Sequence, residues 1–337
     1  MTELHSPAHD AAGKRPPRHL LGLEGMSRAT MDRFCTRAME FGRIVSGESP
    51  PLSTLAGRVV ASVFFEDSTR TRASFAMAAR RLGADVIEIV GNTSSRNKGE
   101  TLLDTVRNLE AMGAAACVIR AAESGAPHAI APHVNIPIIN GGDGRHEHPT
   151  QGLLDLMTIR AHLGDLTDRR FAIVGDIVNS RVARSLTHAL TTFGAHVTLI
   201  GPPGLVSAHL CQLRGSAPDQ EQTPEPGIGT ITVTHAFDEM IPAMDGLIML
   251  RMQFERHGRP VVPSIEEYRE RYQLTEQRAQ RLPTHAIVLH PGPINRGLEI
   301  TSAVADRSIL DGGHSVILQQ VANGVSIRMA VLAELLG

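Results

Sequence analysis

The chain has 337 residues, a formal net charge of −2 and 20% charged residues, which is typical of a globular protein. This charge disfavours a nucleic-acid-binding protein, because such domains are usually strongly basic. No apolar run has membrane-spanning length, the polar start has no signal-peptide core, and the three cysteines are not spaced as a zinc or disulfide framework. We therefore expect a cytoplasmic protein with neither a membrane nor a nucleic acid as partner.

The first half of the chain alternates β-rich runs with helical patterns. Residues 1–18 mix proline, glycine and charge, which predicts a loose arm, and Ser27 caps a predicted helix that ends at Val45. The alternation that follows is typical of a parallel sheet with helices on both faces. The predicted strands are 59–65, 85–90, 115–119 and 136–139, and the predicted helices are 73–82, 102–112 and 126–133.

The second half repeats this alternation after a long predicted helix over 149–163. Predicted strands lie at 171–175, 196–200, 229–233, 247–251 and 287–289, predicted helices at 181–193 and 316–336, and a predicted surface loop at 201–229. We expect two doubly wound parallel-sheet α/β domains, joined by the long helix. Their expected bounds are 19–150 and 151–312, and the last helix, within 313–337, is expected to return to the first domain.

The most informative segment follows the first predicted strand, where hydroxyl and guanidinium groups crowd a helix start. It contains Ser68, Thr69, Arg70 and Thr71. Unpaired backbone N–H groups and the positive end of the helix dipole favour an anion there, and arginine binds phosphate well. Taken alone, the segment is equally well explained as a capped helix with solvated arginines.

Each of the other polar clusters also follows a predicted strand, and the carboxyl ends of parallel strands are where such sheets bind ligands. These clusters contain Ser94 and Lys98, Arg120, His148 and Gln151, Arg181, Arg251 and Gln253, and Gly292 and Pro293. His146 and His148 lack the helical spacing of paired metal ligands, and the Gly-x-Gly-x-x-Gly spacing of dinucleotide sites is absent. We therefore expect no metal and no cofactor.

In this order, Ser-Thr-Arg-Thr-Arg, Lys-Gly-Glu-Thr and His-Pro-Thr-Gln resemble the catalytic chains of the aspartate carbamoyltransferase family. The resemblance runs from about Phe64 to the C-terminal helix. It implies a carbamoyl-phosphate domain followed by an aspartate domain. The reaction it implies transfers a carbamoyl group from carbamoyl phosphate to L-aspartate, for pyrimidine synthesis. The resemblance further implies that the amine of aspartate is the nucleophile and that the departing phosphate accepts its proton, so that no protein base is required.

The resemblance also implies roles for individual residues. Those implied to hold the phosphate are Ser68, Thr69, Arg70 and Thr71. Those implied to surround the carbonyl oxygen are Thr71, Arg120 and His148, while Gln151 takes the carbamoyl NH2, and Gly292 and Pro293 border the substrate. Many family members have leucine where this chain has Gly292, and we expect little change in chemistry because the position acts through its backbone.

For the second substrate, the resemblance implies that Arg181, Arg251, Gln253 and Lys98 receive aspartate. Ser94 and Lys98 match a loop that enters the active site of the neighbouring subunit, which implies a homotrimer. The catalytic set is then Arg70, Thr71, Lys98, Arg120 and His148. The chain also resembles members that assemble with dihydroorotase or a dihydroorotase-like chain.

Two alternatives remain open at this stage. An ornithine carbamoyltransferase shares the phosphate motif, but its amino-acid side needs contacts for a cation, whereas Arg251 and Gln253 suit two carboxylates. A non-catalytic structural or regulatory homologue would normally lack some of the Arg, His and Lys side chains that are present here.

Overall fold

The computed structural model describes residues 17–91, 100–212, 227–252 and 264–337. The strands in these ranges are β1 Val59–Phe64, β2 Asp85–Val90, β3 Ala116–Ala121, β4 Ile138–Asp143, β5 Arg170–Val174, β6 His196–Ile200, β7 Ile231–Thr234, β8 Gly246–Met249 and β9 Ile287–Leu289. The α-helices are α1 Arg28–Val45, α2 Thr69–Arg81, α3 Leu102–Ala111, α4 Ala126–Ile130, α5 Pro149–Leu163, α6 Arg181–Thr192, α7 Phe237–Met240, α8 Ile265–Tyr272, α9 Glu276–Ala279, α10 Ser302–Asp306 and α11 Ile317–Leu336. None of these helices is both long and apolar enough to cross a membrane.

The strands form two parallel sheets, with the orders β2-β1-β3-β4 and β7-β6-β5-β8-β9. In the first sheet the chain moves outward from β1 to β2 and then returns to the other side of β1 with β3. In the second it moves from β5 through β6 to β7 and returns beside β5 with β8. The strand order therefore reverses between β1 and β3 and between β5 and β8. Ligands in such sheets bind at the carboxyl ends of the strands that flank a reversal.

Helix α5 joins the two sheets and is buried on most of its surface. Leu153, Leu156 and Ile159 on this helix belong to one apolar cluster that also includes residues of α1, α6 and α11. A helix that is apolar around most of its circumference is stable only inside a core, so α5 fixes the two domains against each other. Helix α11 packs against α1, α2 and α5, which returns the chain to the first domain.

The fold class predicted from the sequence is confirmed, and the structure differs from the prediction in a few elements. Helix α2 begins at Thr69 rather than at Ala73, which places the hydroxyl and guanidinium groups within its first turn. Strand β4 continues through residues 140–143, because the Asn140 side chain and the backbone of this segment are buried and hydrogen-bonded. The short helices α7 to α10 were not predicted, since their apolar positions are too few to give a helical period.

Candidate active site

A cavity of about 980 Å³ lies where the two sheets present their reversal points to each other. Its walls come from the ends of β1, β3 and β8, from the turn after β4, from the first turns of α2, α5 and α6, from α11, and from the turn after β9. The sequence-predicted residues that line it are Ser68, Thr69, Arg70, Thr71, Arg120, His148, Gln151, Arg181, Arg251, Gly292 and Pro293. Ser94, Lys98 and Gln253, the other predicted site residues, lie outside the described residues.

The first turn of α2 forms one wall of the cavity. Ser68 is the N-cap residue, but its hydroxyl accepts no hydrogen bond from a backbone N–H of the helix and donates to Thr71 Oγ1 at 2.9 Å instead. The N–H groups of this turn are therefore not capped by the Ser68 side chain and face a cavity that Thr69 and Arg70 also line. Burial lowers the pKa of Arg70, and the charge of Arg251 lowers it further. Two cations that repel each other in this way favour an anion between them.

Arg120 and Arg181 meet at the junction of the two domains. Arg120 ends β3 and donates to Gly141 O at 3.1 Å, and Arg181 begins α6 and donates to Gly144 O at 3.3 Å. Both guanidinium groups are more than nine-tenths buried, so their charges are only weakly screened.

Glu66 connects these two arginines. Its carboxylate accepts from Arg120 Nη2 at 3.0 Å and from Arg181 at 2.9 and 2.5 Å. The ion pairs hold an end of β1 in the first domain to the start of α6 in the second. Glu66 was not among the site residues predicted from the sequence, although its position after a strand and before Ser-Thr-Arg-Thr-Arg could have indicated it.

His148 is buried at the mouth of α5, directly before Pro149. Its backbone N–H donates to Ser185 Oγ at 2.8 Å, and Ser185 donates in turn to Glu147 Oε2 at 2.7 Å, which attaches this turn to α6. Burial lowers the pKa of His148 well below its usual range, and the charges of Arg120, Arg181 and Arg328 lower it further. The imidazole is therefore neutral at physiological pH and can donate one N–H to a substrate.

The turn after β9 closes the cavity opposite α2. His290 Nδ1 accepts from Gly292 N at 2.8 Å, and its Nε2 lies 3.1 Å from Glu299 Oε1, so the ring is held from both sides. Gly292 has φ of +62°, a conformation that favours glycine, and precedes a cis peptide bond to Pro293. A Cβ at this position would lie 3.2 Å from Arg70 Cζ, so the backbone packs closely on that guanidinium. A side chain at position 292 would therefore press on Arg70 as well as strain the local backbone.

Two groups of side chains in the described residues have the composition of metal ligands. They are His128, Asp143 and His146, and Glu24, Glu147 and His188. In the first group, the Asp143 carboxylate accepts from Gly125 N at 2.6 Å and from Asn140 Nδ2 at 2.8 Å. In the second, Glu147 accepts from Leu23 N at 2.8 Å. These carboxylates shape the loop that leads to His148.

Two family models match nearly the whole chain. The first, described as the aspartate/ornithine carbamoyltransferase carbamoyl-P binding domain, covers residues 18–161. The second, the Asp/Orn binding domain of the same family, covers residues 167–335. The chain belongs to the aspartate/ornithine carbamoyltransferase family.

Similar proteins are described as aspartate carbamoyltransferase catalytic subunits. The chain is 48% identical to that of Salinispora arenicola over 320 residues, which is 95% of this chain and 98% of the relative. It is 46% identical to that of Myxococcus xanthus, over 94% of this chain and 98% of the relative. Among solved structures, the Trypanosoma cruzi aspartate transcarbamoylase with carbamoyl aspartate and phosphate is similar, with a TM-score of 0.82 and 29% identity over 97% and 98% of the two chains. The catalytic subunit of M. jannaschii aspartate transcarbamoylase is also similar, with a TM-score of 0.79 and 30% identity over 95% of this chain and 98% of that one.

Proposed function

We propose that this chain transfers the carbamoyl group of carbamoyl phosphate to the amine of L-aspartate, in pyrimidine synthesis. The observation that carries the proposal is a cavity whose lining includes two arginines from each domain that would face the substrates, beside a neutral histidine. These are Arg70 and Arg120 from the first domain and Arg181 and Arg251 from the second. Both substrates are anions that repel each other, so bringing them together requires this concentration of positive charge. The relatives named above, and the T. cruzi structure with carbamoyl aspartate and phosphate, support the same reaction.

The first turn of α2 would bind the phosphate of carbamoyl phosphate. In this assignment the N–H groups of the turn, the hydroxyls of Ser68, Thr69 and Thr71, and the guanidinium of Arg70 surround its oxygens. Gly292 and Pro293 would border the same substrate from the opposite wall. The helix dipole and the arginine stabilise a leaving group that already carries its charge.

The carbonyl oxygen of the substrate would lie between Thr71, Arg120 and His148. When the amine attacks the carbamoyl carbon, this oxygen gains negative charge, and donors already in position stabilise it without reorganisation. A neutral His148 acts here as an N–H donor and not as an acid. The amine adds first and forms the new C–N bond; the C=O bond then re-forms as the C–O bond to phosphate breaks, and the phosphate accepts the amine proton.

L-Aspartate would bind between the arginines of the second domain, with Arg181, Arg251 and Gln253 receiving its carboxylates. In the structure Arg181 is paired with Glu66, so a carboxylate of the substrate shares or replaces that partner. Two carboxylates match this basic wall, whereas the cationic side chain of ornithine would meet like charge. The aspartate reaction is therefore preferred to the ornithine reaction.

We further propose that the chain works as a homotrimer in the cytoplasm, with Ser94 and Lys98 completing the active site of a neighbouring subunit. Large apolar side chains are exposed where the chain enters that segment: Met77 on α2, and Ile87 and Val90 on the edge strand β2, are 46%, 44% and 51% exposed. A second copy would cover them, and a head-to-tail contact of this kind closes into a ring. We also propose that this trimer forms a larger assembly with dihydroorotase or a dihydroorotase-like chain.

A transfer assay on the purified chain tests the function. Carbamoyl phosphate is supplied with L-aspartate or with L-ornithine, and the carbamoylated product is measured. We expect turnover with aspartate only, and loss of that turnover in Arg251→Ala. Turnover with ornithine would refute the substrate assignment, and an inactive chain that stays inactive with dihydroorotase added would favour the non-catalytic homologue.

A further inference from the structure

A chain of buried hydrogen bonds connects Gln151, in the wall of the cavity, to the turn after β9. Asp155 lies one turn after Gln151 on α5 and is completely buried. Its Oδ1 accepts from Gln151 Nε2 at 2.9 Å and from Gln320 Nε2, on α11, at 2.6 Å. The Oε1 atom of Gln320 then accepts from His290 N at 3.1 Å. One carboxylate thus engages the NH2 groups of two amides.

An ionised carboxylate can only accept hydrogen bonds, so it attracts the NH2 end of a neighbouring amide and repels the oxygen end. Gln151 has a single amide, and its Nε2 is directed to Asp155. Its Oε1 is therefore the end available to the cavity that this residue lines. Without Asp155 the amide could rotate by half a turn and present NH2 to the cavity instead.

We propose that Asp155 is a positioning residue that fixes the Gln151 amide with its oxygen toward the substrate, and so makes the cavity select an acyl phosphate that carries an amino group. The proposal rests on the function proposed above, in which Gln151 contacts the carbamoyl group. A carbamoyl NH2 donates to an amide oxygen, whereas the methyl group of acetyl phosphate, which has almost the same shape, cannot.

Three groups favour the charged form of Asp155: the amides of Gln320 and Gln151, through their hydrogen bonds, and Arg328, a buried cation on α11. Burial raises the pKa of Asp155 to about 7, with the hydrogen bonds from Gln320 and Gln151 and the charge of Arg328 acting in the opposite direction. At pH 8.5 the carboxylate is ionised, so the test is run at that pH.

The test measures kcat/KM for carbamoyl phosphate and for acetyl phosphate, each with L-aspartate, in the wild type and in Asp155→Asn. Asparagine has the same shape and offers its own NH2 to Gln151, which favours the reversed amide. We expect kcat/KM for carbamoyl phosphate to fall about tenfold while that for acetyl phosphate changes less than about threefold, because one hydrogen bond to the NH2 is lost. The preference ratio is the readout, since effects on phosphate or aspartate binding cancel in it.

Two further variants separate positioning from packing. Thr158 is a matched control, because it is also buried on α5 and bonded to α11, through Asn323 Nδ2 at 2.8 Å, so Thr158→Val should leave the ratio unchanged. The double variant Gln151→Glu with Asp155→Asn presents a carboxylate oxygen to the cavity in either orientation and should restore the wild-type ratio.

An unchanged ratio in folded Asp155→Asn, or a ratio that the double variant does not restore, would overturn the proposal. If Asp155→Asn does not fold, the double variant alone decides by keeping or losing the wild-type ratio. A wild type that transfers neither group would overturn the proposed function itself, whereas an active wild type with a ratio indifferent to Asp155 overturns only this inference.

Discussion

Asp155 also gives a quantitative prediction about the pH dependence of stability. The buried carboxyl has its pKa raised from 3.8 to about 7, chiefly by burial. In the unfolded chain it titrates near its ordinary value, so the unfolded state loses this proton at a lower pH than the native state does. The native state is then favoured most below about pH 4, and this advantage is lost as the pH rises toward 7.

The size of the effect follows from the pKa difference. A shift of about three units corresponds to about 4 kcal/mol, at about 1.4 kcal/mol per unit. Between pH 5 and pH 7.5 the wild type should lose about 2 to 3 kcal/mol of its free energy of unfolding through this group. Above about pH 8 the loss is complete, because the carboxyl is then ionised in both states.

The measurement compares the wild type with Asp155→Asn by urea unfolding at several pH values from 5 to 8.5. The histidines and the other carboxylates titrate in both proteins and cancel in the difference. The stability of the variant relative to the wild type should therefore rise by about 2 to 3 kcal/mol from pH 5 to pH 7.5 and then level off. The pKa of Arg328 is lowered by burial to about 10, so its charge is constant from pH 5 to pH 8.5. Arg328 itself therefore adds nothing to the pH dependence of the stability difference between the two proteins.

A difference that does not vary with pH would refute the reasoning, since it would show that Asp155 has the same pKa in both states. A difference that falls as the pH rises would contradict it more strongly, because Asp155 would then be stabilised as the anion. Thr158→Val is the control here too: its stability relative to the wild type should be the same at every pH.

Three other predictions concern the cations of the cavity. Arg70→Ala and Lys98→Ala should each be nearly inactive. An equal mixture of the two, dissociated and reassembled, should recover up to about a quarter of the wild-type activity, because about a quarter of the sites in random trimers combine an intact Arg70 with an intact Lys98. Mixed trimers without activity would refute the shared site. Glu66→Gln should lower the free energy of unfolding by about 2 kcal/mol, measured in urea without anions, because it removes the carboxylate that two buried arginines share. Added phosphate should restore part of the loss, and an unchanged stability would contradict the bridging role. Gly292→Ala should raise KM for carbamoyl phosphate severalfold in steady-state assays, because a Cβ would contact Arg70 and the positive φ disfavours alanine. An unchanged KM would support the original expectation that this position acts through its backbone alone.

The local features of this fold could be predicted because short-range preferences specify them. Helix α5 has the predicted bounds, since Pro149 is well suited to a first helical position and the helix ends just before Gly164, which has φ of +70°. Ser27 caps α1, as predicted, by accepting from Thr30 N. The segment around Thr69 was harder, because its polar side chains do not reveal that the helix has already begun.

The sequence alone determined the α/β class, the presence of two sets of parallel strands and eleven of the described residues that line the cavity. It could do so because each of these residues follows a strand, and the carboxyl ends of parallel strands share one edge of the sheet. Only the tertiary structure decided the strand orders, and with them which ends face each other. It also decided the partners of Glu66 and Asp155: Arg181 and Gln320 lie 115 and 165 residues away from them, and no local pattern encodes a contact between side chains so distant in the chain.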